Sequence, residues 1–311
     1  MTDILICSRD AMDYVEQIEL AKITDLNLQI CPKDPALIAN GHRVDIILGE
    51  PELSIAALPY CPNVQWVQST WAGIKPFIDK APQTFELTGI KNVFGSQMRE
   101  YVFSYLLYFS RKIQTFKELQ SQQNWFQPNC TPLQGKTIGI LGMGSIGIEV
   151  AKTAKHFGME VFGIAQTPRS LDCVDEFYSL KHLKTFAHRL DYLVVLLPHT
   201  NKTENIINQE CLTSLNPQCI LINAGRGQVI DENALYNALT QNQIQAAVLD
   251  VFTEEPLPKE HPFWQLDNLY ITQHTAAVSK PQEISNVFLQ NLHLFLTKQK
   301  LQNLVEWSKG Y

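Results

Sequence analysis

Residues 137–170, TIGILGMGSIGIEVAKTAKHFGMEVFGIAQTPRS, decide the fold of this 311-residue chain. A short apolar run leads into three closely spaced glycines, a helical pattern follows, and a second apolar run ends the unit. In such units the first glycine permits a tight turn, the second leaves room for a pyrophosphate, and the third lets the helix lie close to the strand. Glycine triplets also occur in ordinary turns, but the flanking strand and helix favour a phosphate-binding loop at the helix N-terminus. Its candidate residues are Gly142, Met143, Gly144, Ser145, Ile146 and Gly147.

The loop after the second apolar run predicts which dinucleotide is bound. An acid about 20 residues beyond the glycines would accept the ribose hydroxyls of NAD. This chain instead has Gln166, Thr167, Pro168 and Arg169 there. With no carboxylate to repel a 2′-phosphate and a guanidinium to pair with it, NADP(H) is the preferred cofactor and NAD(H) the alternative. The competing interpretation is that Arg169 is only a solvated loop charge.

Composition predicts a soluble protein with two domains that acts on small molecules. A mass of 35.3 kDa with 45% hydrophobic residues favours two cores. The net charge of −6 and pI near 5.8 leave no basic stripe for nucleic acid. No apolar stretch approaches the ~18 residues of a membrane span, and the acidic start is unlike a secretory signal. We therefore expect a cytoplasmic protein with no membrane or nucleic-acid partner.

Two alternating series of β-rich and helical segments predict the fold class. It is α/β, with two Rossmann-like or flavodoxin-like doubly wound parallel-sheet domains and an active-site cleft between them. We expect a substrate-binding domain over 1–96 and 280–311, and a dinucleotide-binding domain over 97–279. One long helix is predicted from about Gln97, and a last helix over 281–298 returns to the first domain. The strand candidates are DILIC, LNLQI, VDIILG, VQWVQ and FELTGI in the first series, and 137–142, 160–164, 192–197, 219–223, 245–250 and 269–272 in the second.

Charged and titratable side chains follow three of the later strand candidates. Arg226 follows the run ending at 223, Asp250 and Glu255 follow the next, and His274 follows the last. Carboxyl ends of parallel strands are where ligands bind in such sheets. Reduction of a 2-keto acid by hydride needs a proton donor and a fixed cation near the carbonyl oxygen. His274 with Glu255 as its partner, and Arg226, meet that need; a surface Arg–Glu pair and a histidine bonded to backbone are the alternatives.

Four blocks carry a family resemblance. LGMGSIG, NAGRGQVIDENAL, LDVFTEEPLP and ITQHTAA resemble, in order and separation, the signature blocks of the D-2-hydroxyacid dehydrogenase family. SQMREYVFSYLLYFSRK, HPFWQLDNLYIT and the ending SKGY are most similar to its glyoxylate/hydroxypyruvate reductase A branch. The resemblance implies NAD(P)H-dependent reduction of glyoxylate and hydroxypyruvate to glycolate and D-glycerate by a homodimer without a metal.

The resemblance also implies roles for individual residues. Arg226 matches the substrate-binding arginine, Glu255 the partner of the histidine, and His274 the general acid/base. Asp250 matches the acid that contacts the nicotinamide carboxamide; a strand-end or helix-capping acid is the alternative. In STWAGI, backbone N–H groups of Ala72 and Gly73 would hold the substrate carboxylate, with Trp71 as pocket wall or packed aromatic. The remaining implied cofactor contacts are Leu197, Pro198 and Ala224.

Two departures from the family pattern and two rival functions complete the expectations. Gln273 replaces the proline that often precedes the histidine, which predicts a looser turn with unchanged chemistry. The ribose loop has one phosphate-binding arginine where the branch often has two. A dinucleotide-sensing scaffold is the non-enzymatic rival, disfavoured because all three site residue types are present. Phosphoglycerate dehydrogenase is disfavoured because no regulatory domain follows the last helix.

Overall fold

The computed structural model describes residues 1–167 and 169–307 and divides into two compact units. One unit contains Met1–Val93 and the segment that begins at Ser279, and the other is Phe94–Val278. The units thus divide at 93/94 and 278/279, next to the expected domain limits of 96/97 and 279/280. Pro168 of the ribose loop and the SKGY ending lie outside the described residues.

The first unit is built on a five-stranded parallel sheet in the order β2-β1-β3-β4-β5. Apolar residues of its three central strands are fully buried, as expected for a parallel sheet covered on both faces. All five strand candidates of the first series are confirmed. The strands are β1 Thr2–Cys7, β2 Leu26–Ile30, β3 Val44–Gly49, β4 Trp66–Ser69 and β5 Glu86–Thr88.

The second unit is built on a seven-stranded parallel sheet in the order β12-β11-β10-β9-β6-β7-β8. The six predicted runs are all strands, but the sequence prediction missed a seventh, at the edge beside β7. Its four residues, EFYS, are only partly buried, so they do not form an apolar run. The strands are β6 Thr137–Leu141, β7 Glu160–Ala165, β8 Glu176–Ser179, β9 Tyr192–Val195, β10 Ile220–Asn223, β11 Ala246–Leu249 and β12 Leu269–Ile271.

Helices follow the strands along both series, and one helix prediction was wrong. The long helix expected from Gln97 is in fact two helices. Lys112 adopts a left-handed φ of 51°, which ends the first helix before the second begins. The helix predicted over 281–298 is confirmed, and its Phe288 stacks on Trp66 with ring centroids 5.2 Å apart. The helices are α1 Ala11–Leu20, α2 Pro51–Ala57, α3 Lys75–Lys80, α4 Gly95–Ser110, α5 Ile113–Ser121, α6 Ser145–His156, α7 Leu183–Phe186, α8 Gln209–Ser214, α9 Glu232–Thr240 and α10 Pro281–Leu296.

Apolar side chains bury both faces of the seven-stranded sheet. Phe162 and Leu193 belong to the cluster on one face, and Ile138 and Val194 belong to the cluster on the other. This packing fixes the strand ends that carry the candidate site. Among the described helices, none has the length and apolar character needed to cross a membrane. Within the same residues, no group of three or more His, Cys, Asp and Glu side chains could hold a metal ion.

Candidate active site

The three strands that precede the candidate residues are neighbours in one sheet and end together. Asn223 at the end of β10 is the register partner of Leu249 at the end of β11, and Leu249 is the partner of Ile271 at the end of β12. Since the strands are parallel, the chain leaves all three at the same edge. The loops that carry Arg226, Asp250, Glu255 and His274 therefore start side by side, as the sequence predicted.

His274 and Glu255 form a hydrogen-bonded pair. His274 Nδ1 lies 2.8 Å from Glu255 Oε2, and Glu255 Oε1 accepts the Phe252 N–H at 2.9 Å. The bond to Glu255 raises the pKa of His274 above its ordinary value, against partial burial and the charge of Arg226. Burial opposes ionisation of Glu255, but the bonds from His274 and Phe252 outweigh it, so the pKa of Glu255 is lowered. The pair can hold a proton on an imidazole that is half exposed.

Arg226 provides a positive charge that has no counter-ion of its own. Its Nη1 donates to the Gly225 carbonyl at 2.5 Å, and among the described residues it has no ion pair within 4.0 Å. Burial lowers its pKa and Glu255 opposes that effect; a guanidinium stays charged at any relevant pH. Most of its N–H groups are left for an anionic or carbonyl ligand, which its planar fork suits.

Asp250 holds the turn that carries His274. This carboxylate is 2% exposed; its Oδ1 accepts Thr272 Oγ1–H at 2.5 Å and the Thr275 N–H at 2.8 Å, and its Oδ2 accepts the Ala276 N–H at 3.0 Å. The Asp250 carbonyl also accepts the His274 N–H at 2.8 Å. Asp250 therefore acts here as a strand-end acid, and its contact with a nicotinamide carboxamide stays a prediction.

The glycines on both sides of Arg226 bring its loop against two neighbouring turns. A Cβ at Gly227 would lie 1.9 Å from the Phe252 carbonyl carbon, and one at Gly225 would lie 2.8 Å from the Leu197 carbonyl oxygen. Any side chain at either position would push the backbones apart. Arg226 is thereby fixed between the turn leading to Glu255 and the turn after β9.

The three glycines of the phosphate loop differ in what surrounds them. Gly142 has a φ of 104°, and a Cβ at Gly147 would lie 2.2 Å from the Gly142 carbonyl oxygen, so both are needed for the turn and the helix contact. A Cβ at Gly144 would meet no atom within 4 Å, which leaves an open space above the loop. The backbone N–H groups of Ser145 and Ile146 have no acceptor among the described residues. An open cradle lined by free N–H groups fits a diphosphate.

The ribose loop leaves β7 next to this cradle. Gln166 and Thr167 are exposed, and the Arg169 guanidinium donates to the Met143 carbonyl of the phosphate loop. Arg169 is exposed, and this bond holds its guanidinium beside the glycines. This arrangement fits a group that would contact a phosphate on the adenosine ribose.

The other predicted cofactor contacts lie along the ends of β9 and β10. Leu197 is buried against Gly225, Pro198 is exposed with its carbonyl accepting Thr203 Oγ1–H at 2.6 Å, and the Ala224 N–H donates to Val195 at 3.2 Å. The structure brings these residues to the same sheet edge as Arg226. Their contacts with a nicotinamide stay predictions.

The substrate loop predicted in STWAGI belongs to the first unit and follows β4. Ser69 Oγ accepts the Trp71 N–H at 3.1 Å and donates to the Trp71 carbonyl at 2.9 Å, which folds the loop. The N–H groups of Ala72 and Gly73 have no acceptor among the described residues, so they are available to an anion. Trp71 is 37% exposed and is not a fully packed core aromatic.

Sequence reasoning gave no role to Tyr101 and Thr272. The Tyr101 hydroxyl lies 2.9 Å from Thr272 Oγ1, which in turn donates to Asp250. Thr272 directly follows β12, a position that could have suggested a role. Tyr101 had no such signal because it is one of several aromatic residues on α4.

A seven-stranded parallel sheet with a glycine loop after β6, and with the His274–Glu255 pair and Arg226 at its carboxyl edge, is typical of an NAD(P)-dependent oxidoreductase. Residues 103–276 match the family model described as D-isomer specific 2-hydroxyacid dehydrogenase, NAD binding domain. This chain belongs to the D-isomer specific 2-hydroxyacid dehydrogenase family, which confirms the resemblance recognised in the sequence.

Individual relatives agree with this assignment. The chain is 37% identical over 217 residues to glyoxylate/hydroxypyruvate reductase A of Serratia proteamaculans, covering 70% of this chain and 69% of the relative. A crystal structure of a family member from Aeromonas salmonicida superposes with a TM-score of 0.92 at 33% identity, covering 98% of this chain and 99% of that one. A family member from Xanthobacter autotrophicus, solved with NADPH and MES, gives a TM-score of 0.90 at 27% identity, covering 100% and 99%.

The contrast between Gly144 and Gly147 yields a prediction. Gly147→Ala should destabilise the protein by about 1–3 kcal/mol, because its Cβ would overlap the Gly142 carbonyl. Gly144→Ala should leave the stability of the free protein unchanged but weaken NADPH binding, because its Cβ enters the open cradle. Urea denaturation and fluorescence titration with NADPH measure the two effects. Equal destabilisation by both substitutions would contradict the assignment of the cradle.

A second prediction concerns the pH dependence of reduction. If His274 is the proton donor, as the sequence predicts, the rate should fall as pH rises through its raised pKa, by about tenfold per pH unit beyond it. Glu255→Gln removes the main cause of the raised pKa, and the falling limb should move to lower pH. A profile of kcat/KM against pH measures this. The matched control is Glu254→Gln, with the same charge change next door; a limb that stays in place in Glu255→Gln, or moves equally in the control, rejects the pair.

Proposed function

We propose that this protein reduces glyoxylate to glycolate and hydroxypyruvate to D-glycerate with a reduced nicotinamide dinucleotide. The observation that carries the proposal is the 2.8 Å bond between His274 and Glu255 beside the unpaired guanidinium of Arg226. The name of the Serratia relative, glyoxylate/hydroxypyruvate reductase A, supports these substrates. Both substrates are small 2-keto acids, which offer a carbonyl for the proton donor and a carboxylate for the cation.

The chain's own groups divide the work around the reacting carbonyl. When bound, the cofactor supplies the hydride from its nicotinamide C4 to the keto carbon. His274 Nδ1 is engaged by Glu255, so Nε2 carries the proton that is given to the developing alkoxide. The Arg226 fork binds the carboxylate and carbonyl oxygens and stabilises the negative charge that develops. The free N–H groups of Ala72 and Gly73 suit the substrate carboxylate.

NADP(H) is the preferred cofactor in this proposal. The Xanthobacter family member binds NADPH, and the ribose loop of this chain has no acid that would repel a 2′-phosphate. Arg169, held against the Met143 carbonyl, is the group that would pair with that phosphate. NAD(H) is retained as the alternative because only one arginine is available to select for the 2′-phosphate.

The proposal also includes a cytoplasmic homodimer. The exposed apolar side chains that follow α4 support an interface there, since they are large and close in sequence. A mass of twice 35.3 kDa by light scattering, lowered to the monomer by Phe116→Glu, tests the dimer. The exposed residues are Ile113 at 50%, Phe116 at 45%, Trp125 at 94% and Phe126 at 60%.

Turnover of a panel of 2-keto acids tests the proposed reaction. We expect NADPH oxidation with glyoxylate and hydroxypyruvate, and a kcat/KM about 10²- to 10³-fold lower in Arg226→Ala because transition-state charge loses its partner. Binding of NADPH without turnover, or turnover unchanged by Arg226→Ala, would instead indicate a dinucleotide-sensing scaffold.

The same assay with NADH in parallel tests the cofactor preference. We expect kcat/KM to be at least tenfold higher with NADPH, a difference of ~1.4 kcal/mol. Arg169→Ala should lower kcat/KM for NADPH by about 10- to 100-fold and leave NADH almost unaffected, because only NADPH carries the phosphate. NADH serves as the internal control, and an equal loss with both cofactors would contradict the role of Arg169.

A further inference from the structure

The geometry points to Tyr101 as a positioning residue for His274, acting through Thr272 and Asp250. The inference rests on the proposed function, in which His274 is the proton donor. It assigns a role to a hydroxyl on α4 that touches neither substrate nor cofactor in that reaction.

The direction of each hydrogen bond in this chain can be assigned. Thr272 Oγ1 has one hydrogen, and it donates this hydrogen to Asp250 Oδ1, which lies 2.5 Å away. The Tyr101 hydroxyl at 2.9 Å must then donate to Thr272 Oγ1. Tyr101 therefore orients the Thr272 hydroxyl towards Asp250, and it does so from a helix that is distant in sequence.

Asp250 passes this constraint to the histidine turn. Its carboxylate accepts the Thr275 and Ala276 N–H groups, and its carbonyl accepts the His274 N–H. The turn needs such support because His274 has a φ of 56°, a left-handed conformation that is strained for a residue with a Cβ. Rotation of Asp250 away from these donors would release the backbone on both sides of His274.

The same helix also holds the chain beyond the turn. One helical turn before Tyr101, the Gln97 side chain donates to the Val278 carbonyl and accepts the Val278 N–H, both at 3.0 Å. Helix α4 is thus bonded at Thr272 and at Val278, on the two sides of His274. Helix α4 therefore supports the turn together with Asp250, which follows β11.

Three charged groups face the His274 imidazole, and their balance gives a measurable signal. Glu255, the main cause, and Asp250 raise the pKa of His274, while Arg226 lowers it. The bond from Nδ1 to Glu255 depends on ring position more steeply than the interaction with Arg226, because hydrogen bonds weaken quickly with distance and angle. A looser turn should therefore lower the pKa of His274.

The test uses Tyr101→Phe, Thr272→Val and the double variant. Tyr105→Phe is the matched control, since it removes a hydroxyl one turn further along α4 for which the described structure has no hydrogen bond. The His274 imidazole C–H resonance, assigned by its loss in His274→Gln, is titrated by NMR, and kcat and KM are measured against pH.

We expect Tyr101→Phe to lower the pKa of His274, to move the falling limb of kcat to lower pH, and to reduce kcat by about two- to tenfold. KM for NADPH should change less than about twofold, which is close to the experimental error of a KM measurement. Because Tyr101 acts through Thr272, the double variant should be no worse than Thr272→Val alone. Thr272→Ser retains the hydroxyl and should behave like the wild type.

An unmoved His274 titration in Tyr101→Phe, an equal shift in Tyr105→Phe, or additive losses in the double variant would overturn the inference. If Tyr101→Phe does not fold, Thr272→Val against Thr272→Ser decides through the same titration. The NMR measurement needs no turnover, so a wild type that fails to reduce any 2-keto acid rejects the proposed function while the positioning role is still judged.

Discussion

The hydrogen-bonded register of β10, β11 and β12 is the constraint on which the site depends. It aligns Asn223, Leu249 and Ile271 across three strands, and the ladder continues into the loops. The Asp250 N–H donates to Asn223 at 2.9 Å, and the His274 N–H donates to Asp250 at 2.8 Å. A slip of one residue in any strand would turn its side chains to the opposite face and move its loop by more than 3 Å. Burial on both faces of the sheet prevents such a slip.

The choice of partner for Glu255 determines what Arg226 can do. A carboxylate near a histidine and an arginine could pair with either, and a pair with Arg226 would neutralise the cation. Glu255 instead bonds His274 at 2.8 Å, and the Phe252 N–H fixes its other oxygen. Burial lowers the pKa of the Arg226 guanidinium. Glu255 acts on it only through its charge, without a direct bond, and this smaller effect raises the pKa. Glu255 thus raises the pKa of His274 without pairing with Arg226, which is left to bind an anion.

Local sequence patterns were sufficient for the parts of the site that depend on local structure. The glycine loop could be found because its spacing, strand and helix are contiguous, and Arg226 and His274 because each follows an apolar run. The break at Lys112 could not be found, since the apolar stripe of α4 continues in phase through it. Strand β8 was missed because an edge strand needs no apolar run. The bond from Tyr101 to Thr272 joins residues 171 positions apart, and no local pattern records such a contact.

The turn around His274 shows why Gln273 is acceptable where family members often have proline. A proline at this position would stabilise the turn mainly by reducing the conformational freedom of the unfolded chain. Here Gln273 is exposed, and the folded turn is held by donors to a buried Asp250. Loss of the Ala276 N–H, the one donor to Asp250 Oδ2 among the described residues, would leave that oxygen without a partner away from water, at a cost of about 1–3 kcal/mol. That cost falls on the folded state alone. The turn is therefore held in place by the hydrogen bonds to Asp250 and does not need a proline at position 273.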